Sequence, residues 1–265
     1  MLNLTPDNYY TVEADREYMS VTQFKSFRKC EAATMARLNG EWEPDGDKTA
    51  LLVGNYLHSH FESETAHQAF VEAHSDRILN KRTHQPYKAF SDADGMIATL
   101  DNDEMFGKLY RGDKEAIVIG NIAGVEWMGK LDCLAPNRKF FIDLKTTKSI
   151  KEAIWTGSQR DPFVYAYGYD LQMAVYQELC RQQYGIRPDP MIIAVSKQTP
   201  PDKAAITISQ DRLDMALGEV LDLQPVYQAV KTGKRAPIRC EECDYCRATK
   251  QLSRIGTIDA DELIY

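Results

Sequence analysis

Long apolar runs and an excess of basic charge are both missing from this sequence. No segment approaches the roughly 18 uninterrupted apolar residues that a membrane-spanning helix needs, and the N-terminus lacks the basic start and apolar run of a signal peptide. We therefore expect a cytoplasmic protein with no membrane partner. The formal net charge of −7 argues against a protein that coats nucleic acid by bulk electrostatics, although a basic groove can still be local.

Internal repeats, low-complexity segments and long linkers are also absent. A chain of 265 residues lies at the upper edge of one domain and can bury a sizeable core. Its content of 43% hydrophobic and 27% charged residues is ordinary for a globular protein. We expect a single domain over residues 1–265, in which six cysteines indicate thiols or a metal site rather than disulfides.

Helical periodicity is clear in two N-terminal segments. Residues 20–39 are predicted to form one helix with a polar cap at its start. A second helix is predicted over about residues 49–73, where apolar residues recur every four positions and define one buried stripe. The stripe consists of Val53, Leu57 and Phe61. His58 and Glu62 share a neighbouring stripe by the same spacing.

From Glu115 onward the pattern changes to that of β-strands. Three short segments are rich in β-branched and aromatic residues and are separated by turn signals; they are residues 115–125, 126–135 and 139–147. Either Gly120-Asn121 or Ala123-Gly124 supplies the first turn, and the sequence APNRK supplies the second. These segments predict a three-stranded meander.

The C-terminal half alternates again between helix and strand. Residues 167–184 are predicted to form a helix whose core stripe is Leu171, Val175 and Leu179. Strands are predicted at 191–197 and 204–209. A helix over about 210–231 is expected to be kinked or broken near Pro225. The order of helices, three strands, helix and strands predicts an α/β fold.

Two carboxylates and a lysine lie near the ends of the second and third predicted strands. Side chains alternate along a strand, so Asp143 and Lys145 face the same side while Leu144 points into the core. Pairing through the APNRK turn brings Asp132 beside them. Hard oxygen ligands of this kind suit Mg²⁺ or Mn²⁺, and a nearby lysine can orient an attacking water. Glu115 opens the first strand and is expected to reach the same end of the sheet.

This pattern resembles the PD-(D/E)xK nuclease superfamily, and in particular its RecB-like and RecE-like exonuclease branch. Four segments carry the resemblance: residues 54–58 (GNYLH), 129–132 (GKLD), 142–147 (IDLKTT) and 172–176 (QMAVY). The similarity spans roughly residues 22–247. Two positions depart from the motif, since Leu131 replaces its proline and Asp143 stands where many members carry glutamate. Only the carboxylate and its placement matter to the chemistry, so neither departure removes the resemblance.

The resemblance implies a fold and a set of roles. The fold is a restriction-endonuclease-like core, a mixed sheet flanked by helices, over residues 49–209. The implied metal ligands for Mg²⁺ or Mn²⁺ are His58, Asp132, Asp143 and the backbone carbonyl of Leu144. The implied catalytic residues are Asp132, Asp143 and Lys145, flanked by Gln172 and Tyr176. Because Gln172 and Tyr176 are four apart, one helix face can present both.

The branch also suggests a substrate. A RecE-like protein acts in the 5′→3′ direction on linear double-stranded DNA ends and leaves single strands for recombination, in a bacterial or phage-infected cell. A single-strand annealing protein would then be a partner, and the protein itself would form a homo-oligomeric ring. A Cas4-like nuclease of single strands or flaps is the first alternative. A non-catalytic, metal-stapled scaffold that binds nucleic acid or a partner is the second.

Four of the six cysteines form a further candidate site. Cys240, Cys243 and Cys246 lie within seven residues, while Cys133 and Cys180 occupy apolar contexts typical of buried residues. Cys30 is thus the natural fourth ligand, and four thiolates suit a 4Fe–4S cluster or Zn²⁺. This pattern resembles the cysteine set of Cas4-like and AddB-like nucleases, which favours an iron–sulfur cluster. The spacing of the last cysteines in those nucleases is usually wider than the spacing here. Residues 20–40 and 232–250 are expected to meet as a cysteine-stapled helical extension.

Overall fold

The computed structural model describes residues 2–252, Ile255, 257–259 and 262–264. These residues form two compact units. The first, here called the sheet unit, consists of Met1–Val21 and Gly46–Pro225. The second, here called the cysteine unit, consists of Thr22–Asp45 and Val226–Tyr265. No helix in the described part of the chain is both long enough and apolar enough to cross a membrane.

Helices and strands alternate along the chain as the α/β prediction requires. The helices are α1 (Val12–Glu17), α2 (Val21–Lys29), α3 (Glu31–Leu38), α4 (Thr49–Glu62), α5 (Glu64–Ala73), α6 (Ser75–Ile78), α7 (Lys88–Asp101), α8 (Glu104–Leu109), α9 (Phe163–Ala166), α10 (Tyr169–Tyr184), α11 (Gln210–Lys231) and α12 (Asp244–Ala248). The strands are β1 (Asp113–Ile122), β2 (Val125–Leu134), β3 (Phe140–Thr147), β4 (Ile154–Trp155), β5 (Arg160–Asp161), β6 (Asp189–Ser196), β7 (Lys203–Thr207), β8 (Thr257–Asp259) and β9 (Glu262–Ile264).

A mixed sheet in the order β1–β2–β3–β6–β7 forms the centre of the sheet unit. Strands β1, β2 and β3 make an antiparallel meander, β6 runs parallel to β3, and β7 pairs antiparallel with β6. A parallel step needs a crossover connection, and α10 lies in the one between β3 and β6. The mixed sheet confirms the predicted fold class.

Helices flank both faces of the sheet, as alternation along β3 shows. Ile142 and Leu144 are buried in an apolar cluster with residues of α4 and α7. On the opposite face, Asp143 accepts a hydrogen bond from α10 and Phe141 packs near Tyr176 of that helix. The predicted core stripes of α4 and α10 are buried; they are Val53, Leu57 and Phe61, and Leu171, Val175 and Leu179.

Two helices predicted as continuous are each interrupted, so both predictions were wrong in this respect. Cys30 and Ser63 adopt extended backbone angles at the two breaks. The Cys30 sulfur accepts the N–H of Ala33, and the Ser63 hydroxyl accepts the N–H of Ala66. Each side chain therefore caps a new helix, and this local hydrogen bond competes with helix continuation.

Two backbone predictions, for the first turn and for Pro225, have different outcomes. Ala123 and Gly124 both have positive φ, at 52° and 78°, and Ile122 pairs with Val125 across them. This is a two-residue primed turn, so the second of the two predicted alternatives is confirmed. Helix α11 continues through Pro225 as one element rather than breaking there.

Helix α7 was not predicted, although its sequence carried a helical signal. Four of its five buried residues, Phe90, Ala93, Ile97 and Leu100, follow spacings of three, four and three. Gly95, a poor helix former, lies in the middle of this pattern. Burial of the apolar stripe against α4 outweighs that local cost.

Candidate functional site

The pairing of β2 with β3 stops beside two acidic residues. Residues 133–134 pair with residues 141–142, so Asp132 and Asp143 would form the next pair in that register. Instead, Oδ2 of Asp132 accepts the backbone N–H of Leu144 at 2.6 Å. A side-chain carboxylate therefore replaces a ladder hydrogen bond, and the two strands separate at this point.

Three donor groups from three elements meet at Asp132. His58 of α4, Glu115 of β1 and Asp132 of β2 each place one possible ligand atom so that all three atoms lie within 4.8 Å of one another. Nδ1 of His58 is 3.2 Å from Oδ1 of Asp132. We call these three residues the metal group. Asp143 is not one of its members in the part of the chain that the structure describes.

The backbone of Glu115 departs from regular strand geometry. Its φ is 52°, in the left-handed region that non-glycine residues rarely occupy. Its neighbours on β1 pair regularly with β2, which sets Glu115 opposite Asp132. The Glu115 carboxylate also forms an ion pair with Lys130. Strained residues persist where surrounding structure holds them, and such residues cluster at functional sites.

Asp143, which is buried, and Lys145, which is largely buried, form an ion pair on the α10 face of the sheet. Nζ of Lys145 lies 2.5 Å from Oδ2 of Asp143. Gln172 of α10 donates from Nε2 to Oδ1 of Asp143 at 2.9 Å. The Lys145 ammonium also lies 4.8 Å from the ring centre of Tyr169, at the start of α10. Contacts from both a carboxylate and an aromatic ring therefore fix the position of this ammonium.

Tyr176 lies one turn beyond Gln172 on α10 and packs against the sheet. A Cβ atom added to Gly129 would lie 2.8 Å from the Tyr176 ring, so only glycine admits the ring at this distance. Burial raises the pKa of Tyr176 well above its ordinary value, and a hydrogen bond with Gln172 offsets part of the rise. The close approach of Tyr176 to Gly129 thus fixes how α10 sits over the acidic residues.

Burial and neighbouring charges shift the pKa values of Asp132 and Asp143 in opposite directions. Burial acts to raise the pKa of Asp132, but His58, Lys145 and the Leu144 N–H outweigh it and hold this pKa below its usual value. Burial raises the pKa of Asp143 to about 6, since Lys145 offsets it only in part and Asp132 adds to it. Asp143 is therefore the carboxyl group whose protonation is poised near neutral pH.

The two basic groups both favour their charged forms. Burial alone would lower the pKa of His58, but the adjacent Asp132 carboxylate raises it more. Burial would likewise lower the pKa of Lys145, and the carboxylates of Asp143 and Asp132 raise it above its ordinary value. The centre thus combines acidic groups with a buried ammonium in one small volume, which is typical of a catalytic site.

The residues present fit a divalent metal ion. Two carboxylate oxygens, the donors that Mg²⁺ and Mn²⁺ prefer in proteins, lie within 4.8 Å of each other and of an imidazole nitrogen. The irregular backbone at Glu115 directs a carboxylate toward this point.

The structure brings the predicted site residues into one region of the sheet unit. These residues are His58, Asp132, Asp143, Leu144, Lys145, Gln172 and Tyr176. Glu115 proves to be nearer the centre than its weak sequence signal indicated. Tyr169 was missed; its place three residues before Gln172, on the same helix face, was the available signal. Glu62 is not a member of the metal group among the described residues.

The four predicted thiol ligands lie together in the cysteine unit. The four sulfur atoms lie within 4.8 Å of one another; they belong to Cys30, Cys240, Cys243 and Cys246. The sulfur atoms of Cys30 and Cys246 are 3.6 Å apart, and those of Cys240 and Cys246 are 3.9 Å apart. All four are free cysteines. Backbone N–H groups lower the pKa of Cys240 to about 6, so one thiol readily becomes a thiolate.

A salt bridge within the same unit holds the two cysteine-bearing segments together. Arg235 binds the Glu31 carboxylate at 3.0 Å, next to Cys30 in the chain. The same carboxylate accepts the N–H of Ile238 at 2.8 Å, and Ala32 donates its N–H to the Ile238 carbonyl at 3.0 Å. These contacts join the two cysteine-bearing segments in addition to the thiols themselves.

The fold and the site together define a nuclease of the PD-(D/E)xK class: a mixed sheet whose adjacent strands carry Asp132 and the Asp143–Lys145 pair at the point where they separate. The chain belongs to the family described as PDDEXK-like domain of unknown function (DUF3799), whose model matches residues 20–249.

Comparison with solved structures agrees with this assignment. The chain is similar to a crystal structure from Eubacterium rectale described as "Putative exonuclease", with 36% sequence identity, 96% of each chain covered and a TM-score of 0.89. A second solved structure, SSO0001, has 16% identity, covers 76% of this chain and 94% of its own, and gives a TM-score of 0.33, too low to carry an argument. None of the curated proteins matches the sequence.

Proposed function

We propose that this protein is a metal-dependent deoxyribonuclease, specifically a 5′→3′ exonuclease that degrades linear double-stranded DNA from its ends. The observation that carries the metal-dependent nuclease activity is the group of contacts where β2 and β3 separate, at which Asp132, Asp143 and Lys145 meet with His58 and Glu115. The 5′→3′ polarity comes from the RecE-like resemblance. The description of the Eubacterium rectale relative as an exonuclease supports the exonuclease mode. The same proposal includes a RecE-like role in bacterial or phage recombination. A single-strand annealing protein would be the partner, and the protein would form a ring-shaped oligomer.

The metal group would hold Mg²⁺ or Mn²⁺, with Asp143 and the Leu144 carbonyl as further ligands. When bound, the ion supplies Lewis-acid polarisation of the scissile phosphate and a lowered pKa for a nearby water. Asp132 serves two purposes, because Oδ2 holds the β3 backbone while Oδ1 faces His58. A carboxylate whose second oxygen is hydrogen-bonded is fixed in orientation before any ligand arrives.

Lys145 provides the charge that phosphodiester hydrolysis needs. Its ammonium keeps its proton because two carboxylates raise its pKa. It would orient the attacking water through an N–H donor and place positive charge beside the phosphoryl oxygens as negative charge develops there. Gln172 holds Asp143 in its rotamer, and Tyr176 fixes the helix that carries Gln172. Both act as positioning residues.

A nuclease of single strands or flaps, of the Cas4-like kind, is the second candidate. The four clustered thiols favour it. A scaffold that binds nucleic acid or a partner without cutting it is the third. A buried ammonium paired with a carboxylate whose pKa is raised to about 6 argues against a scaffold, because such an arrangement costs stability and offers a scaffold nothing.

End-labelled DNA separates these candidates. Linear duplexes labelled at either the 5′ or the 3′ end would be incubated with Mg²⁺ or Mn²⁺, beside a covalently closed circle, a single strand and a flap. The proposal predicts loss of linear duplex only, with immediate release of the 5′ label, and no loss with Asp143→Ala. Preferential cutting of single strands or flaps would support the Cas4-like candidate. Metal-loaded, folded protein that cuts none of these substrates would support the scaffold.

We also propose that the four thiols hold a metal centre that staples the cysteine unit. The C-x2-C-x2-C spacing suits a 4Fe–4S cluster. The sulfur separations of 3.6 and 3.9 Å instead suit one tetrahedral Zn²⁺, since Zn–S bonds of about 2.3 Å give edges of about 3.8 Å. Iron, sulfide and zinc analysis of anaerobically purified protein distinguishes the two. Cys246→Ala should lose the metal, whereas Cys180→Ala should retain it.

A further inference from the structure

Three large aromatic side chains are exposed between β3 and α10. Trp155 is 61% exposed on β4, Tyr165 is 39% exposed on α9, and Tyr167 is 48% exposed just after α9. We call these three residues the aromatic platform. Exposed rings on a fixed backbone lose apolar burial, so a cluster of them marks a contact surface. Phe163 and Val164, in the same helix, are buried and anchor the segment.

One residue of the platform, Tyr167, is linked to the catalytic centre. Helix α9 packs against both strands of the β4–β5 hairpin. The Phe163 ring contacts the Tyr169 ring, with centroids 6.2 Å apart, and Tyr167 contacts Tyr169 at 5.8 Å. The Tyr169 ring in turn lies 4.8 Å from the Lys145 ammonium. A chain of ring contacts therefore leads from the exposed surface to the proposed nucleophile-orienting lysine.

Cations accompany the exposed rings. Trp155 and Arg160 are paired across the hairpin, so their side chains share one face. The Arg212 guanidinium lies 4.6 Å over the Tyr165 ring and is held there by Asp170 at 2.6 Å. Residues 146–165 carry three cations and two carboxylates, in a chain whose net charge is −7. The local charge sign thus suits a phosphate backbone, unlike that of the whole protein.

Flat exposed rings beside cations match one kind of nucleic acid. Single-stranded binding surfaces combine aromatic rings that stack unpaired bases with basic groups that follow the backbone. A paired base inside a duplex offers no free face to such rings, because both of its faces are stacked on neighbouring base pairs. We propose that the aromatic platform stacks the unpaired bases of the DNA strand that leads into the active centre. This inference rests on the proposed nuclease function and specifies that the strand is engaged as a single strand.

Binding without cleavage tests the platform. Protein in EDTA would be titrated with fluorescent oligothymidylate and with an abasic oligonucleotide of the same backbone length. Because stacking contributes about 1–3 kcal/mol per base, the wild type should prefer the base-bearing strand by about tenfold or more. The Trp155→Ala/Tyr165→Ala variant should lose that preference while its affinity for the abasic strand stays unchanged. Trp155→Phe should retain it, and Tyr87→Ala, at an exposed tyrosine just before α7, should match the wild type.

Intrinsic fluorescence provides an independent reading. The platform predicts that oligothymidylate quenches tryptophan emission of the wild type and that Trp155→Phe abolishes the quenching whereas Trp42→Phe does not, since Trp127 is fully buried and Trp42 is partly exposed. Equal affinity of the wild type for both oligonucleotides, or an unchanged base preference in the double variant, would overturn the platform. Cleavage of linear DNA by the same preparations, measured in parallel with Mg²⁺, keeps the outcomes separate. If the wild type cuts DNA but shows no base preference in binding, only the aromatic platform is refuted. If the wild type cuts nothing, the proposed nuclease function is refuted.

Discussion

Asp132 holds the backbone of Leu144 with one carboxylate oxygen, at 2.6 Å, and presents the other to His58 at 3.2 Å. One side chain thus performs a structural task on β3 and a binding task toward α4. The two tasks can be separated by substitution, because an amide retains a hydrogen-bond acceptor but carries no charge.

Asp132→Asn and Asp132→Ala should therefore differ in stability. The asparagine carbonyl can still accept the Leu144 N–H, whereas alanine leaves this buried donor without its partner, at a cost of about 1–3 kcal/mol. Urea unfolding of both variants in EDTA measures the difference directly. Both should fail to cut DNA. Equal unfolding free energies for the two variants would show that the hydrogen bond contributes nothing to the fold.

Glu115→Gln should weaken divalent metal binding. Its carboxylate lies within 4.8 Å of the His58 and Asp132 donor atoms, and removing one charged ligand is expected to lower Mn²⁺ affinity about tenfold or more. Titration calorimetry with Mn²⁺ measures the affinity. Glu62→Gln is the matched control, since Glu62 lies outside the metal group in the described part of the chain. Equal losses in both variants would point to general charge rather than ligation.

Gly129→Ala should displace Tyr176 and lower both stability and activity. The added methyl group would lie 2.8 Å from the ring, and overpacking of this kind costs about 1–3 kcal/mol. Thermal unfolding and initial cleavage rates measure the two effects. Gly95→Ala, in α7 with no atom near its Cβ position, should be neutral or slightly stabilising. Wild-type behaviour of Gly129→Ala would remove Tyr176 from the account of how α10 is positioned.

The rate of cleavage should fall on the acid side of its pH profile, and the midpoint of this acid limb should depend on the metal concentration. Asp143, whose pKa is raised to about 6, becomes protonated as pH falls, and His58 gains a proton over a raised pKa as well. Both changes remove metal ligands, so activity should fall about tenfold per pH unit where one group titrates and up to about a hundredfold per unit below both pKa values. Protons and metal compete, so more Mg²⁺ should move the midpoint to lower pH. A midpoint independent of Mg²⁺ would separate the titrating group from the metal site.

Much of the architecture was predictable because it is encoded locally. The alternating pattern of β2 and β3, the primed turn at Ala123-Gly124 and the apolar stripe of α10 each depend on neighbours within a few residues. The breaks at Cys30 and Ser63 were not predicted, since each depends on a cap competing with a continuous helix.

The site was predictable in its residues but not in its geometry. A motif resemblance identified Asp132, Asp143 and Lys145. It did not show that the strands separate there, that Asp132 binds the Leu144 N–H, or that Glu115 adopts a left-handed backbone. These features arise where three elements meet, and strand periodicity carries no information about them.

Lys145→Ala provides the most direct test of the central claim, that this centre hydrolyses DNA. Release of acid-soluble nucleotides from linear duplex with Mg²⁺ would be compared among the wild type, Lys145→Ala and Lys139→Ala, an exposed lysine just before the start of the same strand. Loss of the buried ammonium should lower the rate by about 10²-fold or more while Mn²⁺ still binds, and Lys139→Ala should cut at the wild-type rate. Undiminished cleavage by Lys145→Ala, or none by the metal-loaded wild type, would contradict the account.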